Sequence, residues 1–305
     1  MTKKELETNM QLTYHNIIEN LYMSDDFCQE FDKTVSKHSL GVEPKKKPQM
    51  SLSKIVTITE LFHYTAFKNL KHFLVNHVKI NLIGGFLKTV LYYKFTEWML
   101  ACVLPMAVFL KTCCMSKSSG ISSIDSTSIS VCKNKWIARK KVFDRIAHWG
   151  KTTMGYSLGF KLINVVNDNG EILSFAVTPG NTDNREPLKV KMFQKRIKDK
   201  LYADKGYISL SLTELLFLDG LHLIAHIRNN MKNVLMEMRD KILLRKRSII
   251  KTINDELKKI CYIEYSRHRS FGNFMTNRLY ALIAYSFFPK KPAQVQIQSA
   301  QLTFF

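Results

Sequence analysis

Five short runs of strand-forming residues between positions 122 and 228 constrain the fold more than any other feature of the chain. The runs are SSIDSTSISV (122–131), FKLINVVND (160–168), EILSFAVTPG (171–180), KLYADKGY (200–207) and LHLIAHIR (221–228). The sequence NDNG at 167–170 supplies the turn of a hairpin between the second run and the third. The pattern therefore predicts five β-strands, with the second and third paired as a hairpin.

Helical patterns follow the third, fourth and fifth runs. They are REPLKVKMFQKRI, SLTELLFLDG and a long helix from about Met236 to Tyr262. Three strands followed by helix, strand, helix, strand and helix predict an α/β fold with a mixed sheet and flanking helices. This is the order of a ribonuclease-H-like core, in which the first and fourth strands are neighbours in the sheet.

The region before the serine-rich segment MSKSSGISS (115–123) has a different hydrophobic pattern. Apolar residues recur there mainly at helical spacing, as in 51–78, and the basic, proline-marked segment 41–50 is typical of a linker. We expect a helical, DNA-binding region at 1–115, a ribonuclease-H-like domain at 116–290 and a tail at 291–305. The helices of 51–78 fit a helix-turn-helix, although one sequence does not identify a recognition helix.

The charge of the chain indicates its partner. Lys and Arg number 46 against 25 Asp and Glu, so the net charge is +21, which favours a polyanion and nucleic acid above an anionic membrane. The apolar run Trp98–Leu110 is too short to span a bilayer and contains Pro105. No secretory signal is readable and the six cysteines lack zinc-ligand spacing. We therefore expect a cytoplasmic, nucleoid-associated protein with no membrane partner.

Two acids stand in strand-forming contexts. Asp125 lies inside the first run and Asp204 follows the apolar part of the fourth. Taken singly, Asp125 is better interpreted as an edge-strand residue that faces water or bonds to neighbouring Ser and Thr hydroxyls. Asp204 is interpreted equally well as a turn cap. On neighbouring strands, however, the two carboxylates would repel each other unless a cation lay between them. Oxygen ligands on a basic protein then predict Mg²⁺ or Mn²⁺ and phosphodiester chemistry.

The basic stretch 133–155, KNKWIARKKVFDRIAHWGKTTMG, interrupts the strands. We interpret it as a DNA-facing insertion in which Trp136 and Trp149 stack on bases or intercalate. A solvated basic loop with packed tryptophans is an equally good interpretation. The ending GKTTMG is not a nucleotide-binding loop, because Arg145 stands where that motif needs glycine.

Several motifs in order resemble one family. They are SSIDSTSISVCKNK, GKTTMGYSLGFKL, GEILSFAVTPGNTDNREP, LYADKGYIS and RKRSIIKTINDELKKICYIEYSRHRS, ending in LIAYSFFPKKP. The chain resembles the DDE-type transposases of bacterial insertion sequences, specifically the insertion sequence 982 group. The resemblance implies a ribonuclease-H-like domain that cleaves and transfers DNA strands, with three acids holding two Mg²⁺ or Mn²⁺ ions. It also implies a homo-oligomer that binds the element's terminal repeats and target DNA as double strands.

By motif, the first two metal-binding acids of the family correspond to Asp125 and Asp204. The third is a glutamate in an arginine, three residues, glutamate, six residues, lysine pattern. Arg247 and Lys258 fit this pattern, but Lys251 stands in the glutamate position. Together with Lys151 and Arg185, Arg247 and Lys258 are the cations that we expect near DNA phosphates.

A neighbouring acid on the same helix is a possible surrogate for the missing glutamate. Asp255 lies about 40° around the helix from Lys251 but one turn further along, whereas Glu256 lies about 140° away on the opposite flank. The alternative is that Asp255 pairs with Lys251 and Lys259 and that Glu256 is a surface charge. Three hypotheses remain: an active transposase with a surrogate acid, an inactive copy that still binds DNA, and a non-catalytic basic nucleic-acid-binding protein.

Overall fold

A computed structural model describes most of the chain and divides it into two compact units. Unit 1 comprises Met1–Cys113 and Ile260–Phe287, and unit 2 comprises Cys114–Lys259 and Phe288–Phe305. Residues 260–287, which the sequence analysis assigned to the region 116–290, thus belong to unit 1. Within these units the described residues are 14–38, 50–65, 67–81, 91–132, 137, 143, 145–152, 155–227, 235–264 and 270–294.

Unit 2 is built on a mixed sheet. Its strands are β1 (Ile121–Ser130), β2 (His148–Thr152), β3 (Gly155–Asn167), β4 (Ile172–Pro179), β5 (Asp199–Ala203) and β6 (Leu221–Ala225). The order is β2-β3-β1-β5-β6, and β4 also pairs with β3. β3 is antiparallel to β1, β2 and β4, whereas β5 is parallel to β1 and to β6. The predicted α/β, ribonuclease-H-like arrangement is confirmed, including the contact between the first and fourth predicted strands.

The predicted hairpin joins β3 to β4. The Asn167 side chain accepts hydrogen bonds from the backbone N–H groups of Asn169 and Glu171, and Gly170 has a positive φ of 76°. A side chain at Gly170 would also meet the carbonyl oxygen of Pro292. The NDNG turn therefore needs its glycine both for its backbone conformation and for the close approach of the chain after residue 288.

β2 was not predicted as a strand. It lies in the basic stretch 133–155 and pairs with the first part of β3, from His148 opposite Gly159 to Thr152 opposite Gly155. The rest of β3 continues between β1 and β4. The end of the proposed DNA-facing insertion is therefore a two-stranded ribbon that extends the central hairpin, while Trp136 lies outside the described residues.

In the described part of unit 2, four α-helices and two 3₁₀ turns follow the later strands. They are a 3₁₀ turn (Glu186–Lys189) with α7 (Lys191–Gln194) after β4, a 3₁₀ turn (Lys205–Tyr207) with α8 (Leu210–Leu218) after β5, and α9 (Met238–Lys246) with α10 (Ile249–Lys259) after β6. One face of the sheet packs Ile124 and Ile163 against apolar residues that include Leu212 and Leu216 of α8. On the opposite face, Tyr202 packs against Leu243 and Leu244 of α9. Because side chains alternate along a strand, Asp125 and Asn164 lie on this second face.

The prediction of one continuous helix from Met236 to Tyr262 is wrong. α9 ends at Lys246 and α10 begins at Ile249, with Arg247 and Ser248 between them. The backbone N–H groups of Ser248, Ile250 and Lys251 each bond to the carbonyl three residues earlier, which is a 3₁₀ pattern. The backbone N–H groups at the break keep hydrogen-bond partners, so the break needs no special residue such as glycine or proline. The residue pattern alone therefore does not reveal it.

Unit 1 is helical in its described residues, as predicted. Its helices are α1 (Tyr14–His38), α2 (Leu52–Tyr64), α3 (Leu70–Phe73), α4 (Lys79–Asn81), α5 (Tyr92–Ala101), α6 (Val103–Phe109) and α11 (Phe271–Ser286), with π-helical turns at Leu74–Val78 and Leu110–Cys114. α2 packs against α11, and nearly every residue of α2 is buried. A helix buried in this way has no face left to enter a DNA groove, so α2 is not a recognition helix.

The apolar run around Pro105 forms parts of two helical segments with a bend between them. Among the described residues, no single helix has the length and apolar composition to cross a membrane. Within the described ranges, one pair of helices, Tyr92–Ala101 and Val103–Cys114, has that length and composition when its members are taken together, and the two are bent by 56° relative to each other.

Candidate active site

Asp125 and Asp204 lie side by side on neighbouring strands. The parallel β1–β5 ladder pairs Ile121 with Lys200 and Ser123 with Tyr202. Continuing the same register by two residues brings Asp125 opposite Asp204, on strands that are about 4.8 Å apart. Asp204 directly follows β5, where it is the N-cap residue of a 3₁₀ turn. The structure therefore brings together the two acids that the sequence analysis selected.

Several charges act on the carboxyl group of Asp125. Burial raises its pKa, while the guanidinium of Arg247, the backbone N–H of Ser126 and the ammonium of Lys251 lower it. The negative charge of Asp204 raises the pKa further. Asp125 is thus influenced by one further acid and by two cations, which come from the end of β5 and from the region of α10. This combination of charges is typical of a polar site and not of a hydrophobic core.

Arg247 occupies the break between α9 and α10 and points toward the acids. Its side chain is 7% exposed, and Nη2 lies 3.6 Å from Oδ1 of Asp204, whose own side chain is 46% exposed. Within the described part of the chain, Nε and Nη1 of Arg247 have no hydrogen-bond partner. Both of these atoms are buried, so Arg247 offers the site its positive charge beside Asp204.

Two asparagines and a tyrosine complete the site, and the sequence analysis assigned no role to them. Nδ2 of Asn164 donates to Oδ1 of Asn254 over 3.0 Å, and Nδ2 of Asn254 donates to Oδ2 of Asp125 over 3.5 Å. Tyr207 is buried, and its phenol pKa is raised by burial and by the charges of Asp125 and Asp204. A signal was present for Asn164, a polar residue in the middle of the apolar run FKLINVVN.

Lys251 is exposed on α10, and its positive charge lowers the pKa of Asp125. Asp255 is 60% exposed and forms an ion pair of 2.6 Å with Lys259. This pair is one of those anticipated by the alternative interpretation of Asp255. Among the charges that shift the pKa of Asp125, neither Asp255 nor Glu256 appears.

Glu256 is partly buried, whereas the alternative interpretation of the sequence placed it on the surface. Burial raises its pKa to about 7. Its Oε2 atom has no hydrogen-bond partner among the described residues. Its position opposite Lys251 on the helix nevertheless keeps it apart from the two strand acids.

The remaining predicted DNA contacts lie in different settings. Lys151 is exposed on β2, and Trp149 on the same strand is 50% exposed. Arg185 is engaged within the protein, since Nε donates to Asp183 and Nη1 lies 3.4 Å from the carbonyl oxygen of Ile208. Lys258 is partly buried in the last turn of α10. As DNA contacts, all of these residues stay predictions.

The donor set fits one divalent cation better than two. Asp125 and Asp204 offer carboxylate oxygens from adjacent strands, which are the ligands that Mg²⁺ and Mn²⁺ prefer. Among the described residues, no group of three or more His, Cys, Asp and Glu side chains is placed to hold a metal ion. The third position carries the cation Lys251, so the described residues do not supply the ligands that a second ion would need.

The chain is similar to known proteins in sequence and in structure. Residues 115–271, just over half of the chain, match the family model for the transposase DDE domain. A search of solved structures finds the piggyBac transposase in a synaptic complex with hairpin DNA, at 9% identity and a TM-score of 0.43, covering 88% of this chain and 73% of the other. No match was found among curated proteins. DDE transposase domains generally use divalent metal ions. By its sequence match over residues 115–271, the chain belongs to the transposase DDE domain family.

Proposed function

We propose that this protein binds the ends of an insertion sequence of the 982 group as double-stranded DNA, and that its site is built for cleavage and transfer of DNA strands. The observation that carries the proposal is the register of Asp125 and Asp204 on adjacent strands, beside a buried Arg247. We further propose that it acts as a homo-oligomer on DNA in the cytoplasm, associated with the nucleoid.

Each residue of the site has a role in this proposal. Asp125 and Asp204 would hold a divalent ion, Mg²⁺ or Mn²⁺, which would supply the Lewis acidity that activates water or a 3′ hydroxyl. Arg247 supplies a positive charge beside Asp204 that attracts and orients the phosphodiester. Tyr207 packs in the apolar cluster that contains Ile124 and Leu201, and so supports the two strands that carry the acids.

We also propose that strand cleavage by this copy is impaired. Lys251 stands where the third acid belongs, and its positive charge opposes the approach of a second cation. The exposed ion pair of Asp255 with Lys259 and the placement of Glu256 argue against both as surrogate acids. DNA binding depends on the overall charge and on Arg247, so we expect it to persist.

The test compares the protein as it is with Lys251→Glu on DNA that carries the flanks of its gene, in Mg²⁺ and in EDTA. We expect cleavage to rise in Lys251→Glu by more than the roughly 10- to 100-fold that an outer-shell partner of a metal is worth. The control Asp125→Asn with Lys251→Glu should be inactive.

Equal cleavage by the unchanged protein and Lys251→Glu would refute the impairment. Loss of cleavage in Asp255→Asn would instead establish Asp255 as the surrogate acid.

A non-catalytic basic nucleic-acid-binding protein is the second candidate, favoured by the net charge of +21 and by Lys251. The two candidates differ in Lys251→Glu. A non-catalytic protein would not cut DNA even after the acid is introduced, although it would bind DNA equally well in Mg²⁺ and in EDTA.

A further inference from the structure

Asn254 is a polar residue on the apolar side of α10. The buried residues of this helix are Ile250, Ile253, Asn254 and Leu257. Three of them are aliphatic, and an amide among them costs free energy unless both its donor and its acceptor find partners. Asn254 is 5% exposed, so water does not supply those partners.

The partners of Asn254 come from two adjacent strands. Asp125 of β1 and Asn164 of β3 are directly opposite each other in the antiparallel ladder, on the face that α10 covers. Asn164 is fully buried, and its side-chain amide donates to the side-chain oxygen Oδ1 of Asn254 over 3.0 Å. The amide nitrogen of Asn254 then lies 3.5 Å from Oδ2 of Asp125.

The chemistry of these groups fixes the direction of the chain of hydrogen bonds. An ionised carboxylate only accepts, so Asn254 turns its NH₂ group toward Asp125 and its carbonyl toward Asn164. Asn164 is fully buried on a strand that is paired on both sides, and its amide therefore sets the orientation of Asn254. Asn254 in turn holds one oxygen of Asp125 and leaves the other for a ligand.

The same contact sets the position of α10 along the sheet. Residue 251 precedes Asn254 by three residues, or about one turn, and therefore lies on the same side of the helix. The influence of Lys251 on the pKa of Asp125 agrees with this placement. A carboxylate at position 251 would lie on the same side of α10 as Asn254, which contacts Asp125.

We propose that Asn254 is a positioning residue, anchored by Asn164, that orients the Asp125 carboxylate for a divalent cation and brings position 251 of α10 to the site. This inference rests on the proposed function in one respect, since it takes Asp125 to bind the ion. It adds two buried amides to the acids and cations of the site.

The test measures Mn²⁺ affinity by calorimetry, without DNA, in the Lys251→Glu protein and its variants. Asn254→Leu replaces the amide with an apolar side chain that suits its aliphatic neighbours, and it removes both hydrogen bonds. We expect Mn²⁺ binding to weaken by about 10- to 100-fold, the usual loss for an outer-shell partner. Asn164→Val, which leaves Asn254 in place without its anchor, should weaken binding by a smaller factor.

Ile253→Val is the matched control, because it disturbs the packing of the same helix and touches no polar group. It should leave Mn²⁺ affinity unchanged, and circular dichroism should show that every variant is folded. If Asn254→Leu does not fold, Asn254→Ala provides the same comparison.

The outcomes separate the two proposals. Unchanged Mn²⁺ affinity in both Asn254 and Asn164 variants overturns the positioning role and leaves the proposed function standing. Mn²⁺ binding that persists in Asp125→Asn with Lys251→Glu, or that is absent from Lys251→Glu, overturns both.

Discussion

Glu60 of α2 offers a quantitative test of the helical unit. Its side chain is 1% exposed, and neither carboxylate oxygen has a hydrogen-bond partner among the described residues. Burial raises its pKa from 4.5 to about 8. Glu60 is therefore mostly protonated in the folded protein at neutral pH, whereas it is ionised in the unfolded chain.

The raised pKa fixes the direction of the pH dependence. Between pH 4.5 and 8 the folded state binds the proton that the unfolded state has released, so the free energy of unfolding falls as the pH rises. The slope is about 1.4 kcal/mol per pH unit, which gives ~5 kcal/mol over the whole window and ~3 kcal/mol between pH 6 and pH 8. Below pH 4.5 the carboxyl group is protonated in both the folded and the unfolded state, so its ionisation no longer changes the free energy of unfolding.

We therefore expect Glu60→Gln to remove this decline. Urea denaturation at pH 6, 7 and 8 should show the unchanged protein losing stability and the variant keeping it, so that the variant is the more stable by a margin that grows with pH. Glu97→Gln is the control, since Glu97 is an exposed partner of Lys94 and such pairs are worth at most about 1 kcal/mol. Parallel curves for the unchanged protein and Glu60→Gln would refute the reasoning.

Three further predictions concern the sheet, the site helix and the DNA. Gly159→Ala should destabilise the protein by about 1–3 kcal/mol, because its Cβ would lie 2.2 Å from the carbonyl oxygen of Ile129, whereas Gly206→Ala meets nothing within 4 Å and should be nearly neutral in denaturation. Asp255→Asn should cost only about 0.3–0.5 kcal/mol, the worth of its helical pair with Lys259, and should not change DNA cleavage; a large effect on cleavage would contradict this. Binding to duplex DNA should weaken steeply as salt rises in a fluorescence titration, since counterion release dominates at a net charge of +21, and salt-insensitive binding would contradict the choice of partner.

The parts of the fold that the sequence predicted are those with a local signal. The strand-forming runs around Asp125 and Asp204 and the NDNG turn are each contained in about ten residues, and the order of the strands predicts which of them are neighbours. β2 has no such signal, because HWGKT has few strand-forming residues and depends on β3 for its structure. The break at Arg247 was missed because a 3₁₀ turn preserves the helical spacing on both sides.

The site itself was predicted in part. The pairing of Asp125 with Asp204 followed from strand order, and the substitution at Lys251 followed from motif spacing. The contacts of Asn254 join it to residues 90 and 129 positions away in the sequence, and no local pattern encodes a contact of that kind. Asn254 was visible only as a polar residue on one flank of a helix.

The exposure of Lys251 has a genetic consequence. An ammonium group at an exposed helical position is compatible with the fold, so the substitution escapes the selection that removes poorly folding chains. Lysine and glutamate codons differ by one base, and a single mutation would therefore exchange the two side chains on an unchanged scaffold. On the proposed function, a lineage of such elements can fall silent and recover in one step each way, and its silent members would still occupy the ends of active copies.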